Sequence, residues 1–261
     1  MQNWHPATAL VTGASSGIGL AFATALAERG CDLILVARRE SRLRELADRL
    51  HAEHGVAVRV LAADLSVPTE VSRVAAVLAD PLNPVGILVN NAGFASHGAL
   101  ADHTAERVRE EIAVNVAALA ELTHAVLPGM VTRDRGVIVN IASTAAFQPI
   151  SFMAVYGATK AFVLSFTEAL WGELEGSGVT AVAVCPGATD TEFFDIAGES
   201  ASVGSRQTPQ QVVATALRAL DRRTPPPSAV SGFVNRLSAR LPRMLPRRTT
   251  IRVTRNLVAA K

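Results

Sequence analysis

Short runs of β-branched and apolar residues alternate along this 261-residue chain with longer segments of helical period, and that alternation limits the possible folds more than any other feature. The runs fall near 7–12, 32–37, 57–62, 86–90, 136–142, 179–185 and 228–231, the last being the shortest. Between them the spacing predicts helices near 17–29, 40–54, 68–79, 104–131, 154–175 and 209–221, with a break around 114–116. Strands this apolar are buried on both faces. The pattern therefore predicts an α/β, doubly wound single domain, with a mostly parallel seven-stranded sheet and helices on both faces. Segments 112–131 and 154–171 are apolar around most of their circumference, more than one sheet-facing stripe requires. A subunit interface, in a homodimer or homotetramer, would use the surplus; so would a larger monomer core.

With 49% hydrophobic and 18% charged residues the chain suits one packed domain, placed at 1–232, followed by a basic extension at 233–261. No apolar run reaches the roughly 18 to 20 uninterrupted residues of a membrane-spanning helix, and residues 1–6 lack the charged and apolar regions of a signal peptide. A soluble, cytoplasmic protein is expected. Cys31 opens the second strand and Cys185 closes the sixth, at opposite ends of a parallel sheet, so both are expected as buried free thiols. The six histidines have no metal-ligand spacing, and no metal site is expected. A net charge of +2 without a recognised binding motif gives no reason to expect a nucleic-acid partner.

The charge is unevenly spread. Residues 218–261 hold 11 basic groups and one acid, Asp221, a net +10, whereas 1–217 hold 14 basic and 22 acidic groups, a net −8. Pro225, Pro226 and Pro227 mark the boundary. Beyond it Phe233, Leu237, Leu241, Met244 and Leu245 fall near one helical face, with Arg236, Arg240 and Arg243 largely elsewhere and Pro242 and Pro246 as interruptions. Such a segment either touches an anionic membrane surface peripherally or packs its apolar residues on the core or a neighbouring subunit.

Chemistry-bearing residues collect where the strands end. The first strand runs into Thr12-Gly13, the third into Asp64-Leu65, the fourth into Asn90-Asn91-Ala92-Gly93, the fifth into Ser143 and the sixth into Pro186-Gly187. Each alone is ordinary strand-stopping chemistry. Together they describe one site, because open α/β sheets bind ligands outside the carboxyl ends of their strands. The first of these turns, Thr12-Gly13-Ala14-Ser15-Ser16-Gly17-Ile18-Gly19, leads a strand into a helix, so its N–H groups suit a pyrophosphate. A plain tight turn is the alternative, since the spacing departs from G-x-G-x-x-G.

The chain has one tyrosine and two lysines, and Tyr156 stands four residues before the only internal lysine, Lys160. With 23 arginines carrying charge elsewhere, an ammonium here reads as a requirement of the site. Residues at i and i+4 share a helix face, where the ammonium would draw the phenol below its usual pKa of about 10. A surface pair one turn apart is the plain alternative. Asn115 lies mid-helix between Ala113, Val114, Val116 and Ala117, where a polar residue needs a reason.

These motifs, in this order and spacing over residues 6–221, resemble the short-chain dehydrogenase/reductase family. The resemblance implies a Rossmann-type domain and a catalytic tetrad of Asn115, Ser143, Tyr156 and Lys160. It implies nicotinamide-cofactor contacts from Gly13, Ser15, Ser16, Gly17, Ile18 and Gly19, from Asp64 and Leu65 at the adenine, and from Asn91, Ala92 and Gly93. Tyr156, Lys160, Pro186, Gly187, Thr189 and Thr191 would meet the nicotinamide side. In that scheme Tyr156 is the general acid of carbonyl reduction and Ser143 binds the same oxygen. Lys160 lowers the tyrosine pKa and binds ribose, and Asn115 holds a water leading to solvent. The Tyr-Gly-Ala-Thr-Lys-Ala-Phe-Val form, with Val-Ala-Arg-Arg after the second strand, is similar to the branch of 3-ketoacyl reductases and 17β-hydroxysteroid dehydrogenase-like enzymes.

Cofactor choice is argued from Ala37, which stands where an NAD site places an acid against the ribose 2′-hydroxyl. Arg38 and Arg39 follow it, which predicts NADP(H), with Arg38 as phosphate ligand and Arg39 turned toward solvent. A basic helix start is the plain alternative. Phe94, Phe147, Phe152, Met153, Phe193 and Phe194 fall in segments that the resemblance places around the substrate, where they would line an apolar carbonyl compound. The segment 190–207 reads as a lid, unless its phenylalanines simply pack on the core, and His97 as an exposed loop histidine. The expected function is an NADPH-dependent reductase converting a 3-oxoacyl compound or related ketone to a secondary alcohol. The alternatives are an NAD(P)-dependent alcohol or hydroxysteroid dehydrogenase and a non-catalytic NADP(H)-binding sensor or scaffold.

Overall fold

The computed structural model describes residues 7–198, 205–243 and 245–259. Each predicted strand forms, within one residue of its run at either end: β1 (Thr8–Thr12), β2 (Leu33–Ala37), β3 (Val58–Ala62), β4 (Val85–Asn90), β5 (Gly136–Ile141), β6 (Val179–Cys185) and β7 (Ser228–Val230). They pair in the order β3-β2-β1-β4-β5-β6-β7, and every pairing is parallel, so the sheet is wholly rather than mostly parallel. The helices are α1 (Gly17–Ala27), α2 (Glu40–His54), α3 (Pro68–Leu78), α4 (Ala105–Ile112), α5 (Leu119–Thr132), α6 (Ala154–Glu173), α7 (Phe193–Ala197), α8 (Pro209–Leu220), α9 (Phe233–Arg240) and α10 (Arg247–Ala259).

The period-two alternation of side chains divides the core between the two faces of the sheet. Ala9, Val11, Leu33, Leu35 and Val139 share a cluster with Phe22 and Leu26 of α1, Leu43 and Leu50 of α2 and Val212 of α8. Their neighbours Leu10, Ile34, Val36, Leu88 and Ile138 share another with Val74 of α3 and Leu122 and Val126 of α5. Each such fully buried aliphatic side chain contributes roughly 1.5–3 kcal/mol. Cys31 and Cys185 are both buried and free, as expected.

The break expected around 114–116 is a π-helical stretch, Ala113–Ala118, between α4 and α5. An added residue in the turn shifts the face that side chains occupy, and Asn115 ends up only 1% exposed. Within the helix Ala105–Thr132 an 18-residue stretch has a mean hydropathy of 1.4, long and apolar enough to cross a membrane by length and composition, although no apolar run in it is uninterrupted. Asn115, Glu121 and His124 interrupt that stretch, while Leu122, Val126 and Met130 lie in the core.

The basic extension belongs to the same body as the sheet. α9 packs against the turn after β5 and against β7, and Thr254 Oγ1 of α10 donates to Pro149 O at 2.9 Å. The option that its apolar face packs on the core is not met. Phe233 is 77% exposed and Leu237 61%, with Leu241 and Leu245 also exposed. Met244, the side chains of Arg240 and Arg243, residues 1–6 and the 199–204 part of segment 190–207 lie outside the described residues.

Candidate active site

A parallel sheet brings the carboxyl ends of its strands to one edge, and there a cleft of about 1630 Å³ opens. Its position follows from the strand order, which reverses direction between β1 and β4. Thr12 stitches that junction: its Oγ1 accepts from Asn91 N at 2.9 Å and Ala92 N at 3.0 Å and donates to Val89 O at 3.3 Å. Asn91 Nδ2 donates back to Thr12 O at 2.9 Å. Beneath the rim, Asn90 Nδ2 donates to Asn140 Oδ1 and Thr123 Oγ1, each at 3.0 Å, tying β4 to β5 and α5.

The glycine turn has the shape the spacing required. Gly13 and Gly17 adopt φ of +65° and +54°, and a Cβ on Gly13 would stand 2.7 Å from Asn91 Nδ2. Ser16 opens α1 without a side-chain cap, which leaves the first-turn N–H groups for an anion. Ser15, Ser16, Gly17 and Ile18 line the cleft with Leu65, Ala92 and Gly93, and across from them stand Pro186, Gly187, Thr189 and Thr191. Gly19 is not a lining residue. It sits behind the turn, where a Cβ would strike the Gly13 carbonyl.

Ser143 follows β5, and Tyr156 and Lys160 lie in the first two turns of α6. Ser143 Oγ accepts from Ala145 N at 3.1 Å, which leaves its own proton to donate onward. Lys160 Nζ donates to Ile141 O at 2.8 Å and stands 5.8 Å from the centre of the Tyr156 ring. Burial lowers the lysine to about 8. Burial also pushes Tyr156 up to about 12; the hydrogen bond with Ser143 offsets this only in part, and the Glu111 carboxylate adds to it. The expectation that Lys160 draws the phenol below 10 is thus not met in the chain by itself: desolvation sets the direction, and the opposing pull comes from the Ser143 hydrogen bond. A phenol that keeps its proton is suited to giving it to a carbonyl oxygen.

Asn115 performs a clamp that the sequence did not specify. Its Oδ1 accepts from Phe94 N at 3.1 Å, and Nδ2 donates to Phe94 O at 2.9 Å and Thr159 Oγ1 at 3.1 Å. Both amide protons are taken, so a water could meet only the carbonyl oxygens of this residue. Glu111, one turn earlier, went unnoticed in the sequence. It is 0% exposed, its Oε2 accepts from Ser96 N at 3.1 Å, and its Oε1 has no partner among the described residues. Burial raises its pKa against the opposing pull of Ser96 and Arg107. Its charge-rich stretch, Arg107 to Glu111, carries no local signal that sets this one carboxylate apart.

At the adenosine end, burial tends to raise Asp64, but hydrogen bonds from the Ser66 N–H and hydroxyl, with Arg38 nearby, hold it below the usual carboxylate value. Arg38 and Arg39 both line the cleft, and it is Arg39 that departs from expectation. Arg38 has a 69% exposed side chain whose nearest anion is Asp64 at 4.0 Å. Arg39 does not turn to solvent: it donates to Ser15 Oγ from Nε at 3.3 Å and from NH2 at 3.0 Å, and from NH2 to Ser16 Oγ at 3.1 Å. The serine hydroxyls of the turn draw it back. Arg42, one helical turn on, joins it on Glu192.

Four of the six proposed substrate residues line the cleft: Phe94, Met153, Phe193 and Phe194. Phe193 lies 5.5 Å from the Tyr156 ring and meets Phe194 edge to face at 5.3 Å. Phe147 instead packs among Leu119, Val163 and Leu164, because the 3₁₀ turn Thr144–Phe147 brings it inward. Phe152, at φ +64°, carries its ring toward His97, 6.5 Å away, and His97 is half-buried rather than exposed. The wall that the sequence missed comes from the tail, with Phe233, Val234 and Leu257 lining the cleft.

The wholly parallel sheet, the glycine turn at its switch point and the Ser143, Tyr156 and Lys160 group define a nicotinamide-dependent oxidoreductase site. The family described as short chain dehydrogenase matches residues 7–201, and the chain belongs to it. It is similar to a short chain dehydrogenase of Pseudocercospora fijiensis, 41% identical over 71% of this chain and 60% of that protein's length. It is also similar to the ketoacyl reductase HetN of Nostoc sp., 32% identical over 83% of this chain and 76% of the relative. A solved short-chain dehydrogenase from Sphingobium yanoikuyae in complex with NADPH superposes with a TM-score of 0.83, at 41% identity, covering 91% of this chain and 93% of that one.

Proposed function

We propose that this oxidoreductase is an NADPH-dependent reductase that moves hydride to the carbonyl of an apolar substrate, a 3-oxoacyl compound or related ketone, and yields a secondary alcohol. The observation that carries the reading is the Tyr156 phenol, protonated and beside Ser143, facing a cleft lined by Phe94, Met153, Phe193 and Phe194. The donor set suits NADP(H): turn N–H groups for the pyrophosphate, the Asp64 region for adenine, and the Arg39 and Arg42 guanidiniums in place of an acid at Ala37. The bound nicotinamide supplies the hydride.

The chain's own residues do the rest. Ser143 and Tyr156 hold the carbonyl oxygen between two hydroxyls, and the Tyr156 proton passes to that oxygen as negative charge develops on it. Lys160 sits 5.8 Å from the centre of the phenol ring, and its donors not taken by Ile141 O would hold the ribose of the nicotinamide. Asn115 keeps the loop after β4 against α6, so that Gly93 stays open; a Cβ there would lie 3.0 Å from Asn115 Oδ1 and 3.4 Å from Lys160 Nζ. The non-catalytic alternative gains nothing from this arrangement, since the proton donor and its partner are both in place.

The proposal extends to the molecule's surroundings. Exposed Ile112 on α4, Val131 on α5 and Phe162 on α6 support a homodimer or homotetramer, and exposed Phe233 and Leu237 amid arginines support peripheral contact with an anionic membrane surface from the cytoplasm. The test of the activity is NADPH absorbance followed with a panel of ketones that includes β-ketoacyl thioesters and steroids. Oxidation of NADPH by an apolar ketone, lost in Tyr156→Phe, is the expected result; preference for NADH or absence of turnover with every ketone would sink the proposal.

A further inference from the structure

Among the groups at the cleft, one carboxylate stands where the proposed ligand places an anion. Glu192, just before α7, accepts from Arg39 NH1 on Oε2 at 2.7 Å and from Arg42 NH1 on Oε1 at 2.5 Å. The same Arg39 binds Ser15 and Ser16 of the glycine turn, so Nε, NH1 and NH2 are all engaged. Thr191 seats Glu192 there, since its methyl lies against the turn, 2.8 Å from where a Cβ on Gly17 would stand. Two guanidiniums from the start of α2 thus converge on a single anion bridged to the cofactor turn. A planar pair of forks on one site is the arrangement that recognises a carboxylate or a phosphate monoester.

We infer that Glu192 is a specificity-determining residue: its carboxylate stands in for the cofactor's 2′-phosphate on Arg39 and Arg42, and a dinucleotide carrying that phosphate must displace it. The inference rests on the NADP(H) reading above and adds a competitor to it. A phosphate monoester brings nearly two negative charges and three acceptor oxygens against the single charge and two oxygens of Glu192, so it wins the exchange. The neutral 2′-hydroxyl of NADH has no such claim and leaves the carboxylate where it is. Glu192 therefore weakens NADPH binding while leaving NADH binding alone, and narrows the difference between them. The three side chains are 41–45% exposed, so the exchange is screened by solvent and its effect is a moderate one.

The test is a binding titration of the full chain and its Glu192→Gln and Glu192→Ala variants with NADPH, NADH, 2′-AMP and 5′-AMP. Both variants are expected to bind NADPH and 2′-AMP more tightly, by roughly threefold to tenfold, with NADH and 5′-AMP changed by less than about twofold. Unchanged or weaker NADPH binding would overturn the inference, the weaker case making Glu192 a clasp closed over the cofactor. Equal tightening of all four ligands would overturn it too, as a bulk charge effect. The cofactor reading itself is judged separately, by the native NADPH to NADH ratio: a native preference for NADH defeats that reading even where the variants still tighten 2′-AMP selectively.

Discussion

Burial lowers the Lys160 ammonium from 10.5 to about 8, so the lysine carries a stability cost together with its chemistry, whereas the Tyr156 phenol, held up to about 12, is protonated folded or unfolded at neutral pH and adds none there. For a base whose folded pKa is depressed, the cost is full below the folded value and vanishes above the unfolded one. Lys160→Met should therefore stabilise the protein at pH 7 by about 2 kcal/mol, after subtracting the lost bond to Ile141 O, and the gain should fade as pH rises from 8 to 10.5. Urea unfolding at pH 7 and pH 10 measures this, with activity abolished throughout. Tyr156→Phe keeps the ring volume and removes the proton, so NADPH should still bind while turnover collapses, as stopped turnover with intact cofactor titration would record. Glu111 titrates with the opposite sign. Its raised pKa gives stability that is present below 4.5 and declines as pH rises through the folded value. Glu111→Gln preserves the bond from Ser96 N and should flatten that decline, a comparison of unfolding free energies at pH 5 and pH 8.

The cleft depends on one junction between elements, the β1 to β4 pairing that Thr12 closes through its hydroxyl. A β-branched replacement without the oxygen leaves two loop N–H groups buried without an acceptor. Thr12→Val should cost about 1–3 kcal/mol of stability and weaken cofactor binding at least as much as it weakens the fold, because the turn at Gly13 and the loop at Asn91 lose their common anchor. Leu122→Ala in α5 is the contrasting case. It should cost about 2–5 kcal/mol by leaving a cavity under the sheet, with cofactor affinity of the folded fraction unchanged. Measured side by side, chemical denaturation and NADPH titration separate the two kinds of loss. The π-helical stretch Ala113–Ala118 acts at this scale too, since the added residue turns Asn115 inward to the Phe94 backbone.

At the scale of the whole molecule the basic extension is both part of the cleft wall and an exposed amphipathic surface. The protein is expected to sediment with anionic liposomes in a salt-sensitive manner, and Phe233→Ser with Leu237→Ser to abolish this; failure of the native protein to bind liposomes would end the membrane reading. The seven strands and six long helices were legible in the sequence because burial on both faces writes an apolar run for each strand and a 3.6-residue period for each helix. The glycine turn, Asn91, Ser143, Tyr156 and Lys160 were legible because a parallel sheet places all strand ends on one edge, whatever the intervening packing. Side-chain destinations were not. Whether Arg38 or Arg39 folds onto the glycine turn depends on the Ser15 and Ser16 hydroxyls and on Glu192, 153 residues away in sequence from Arg39. Phe147 and Phe152 left the cleft, and Phe233 and Leu257 entered it, through turns and helix placements that carry no local signature. The charge state of Tyr156 likewise came from desolvation, which is a property of everything packed around it, whereas the sequence by itself determined only that a lysine stands one helical turn away.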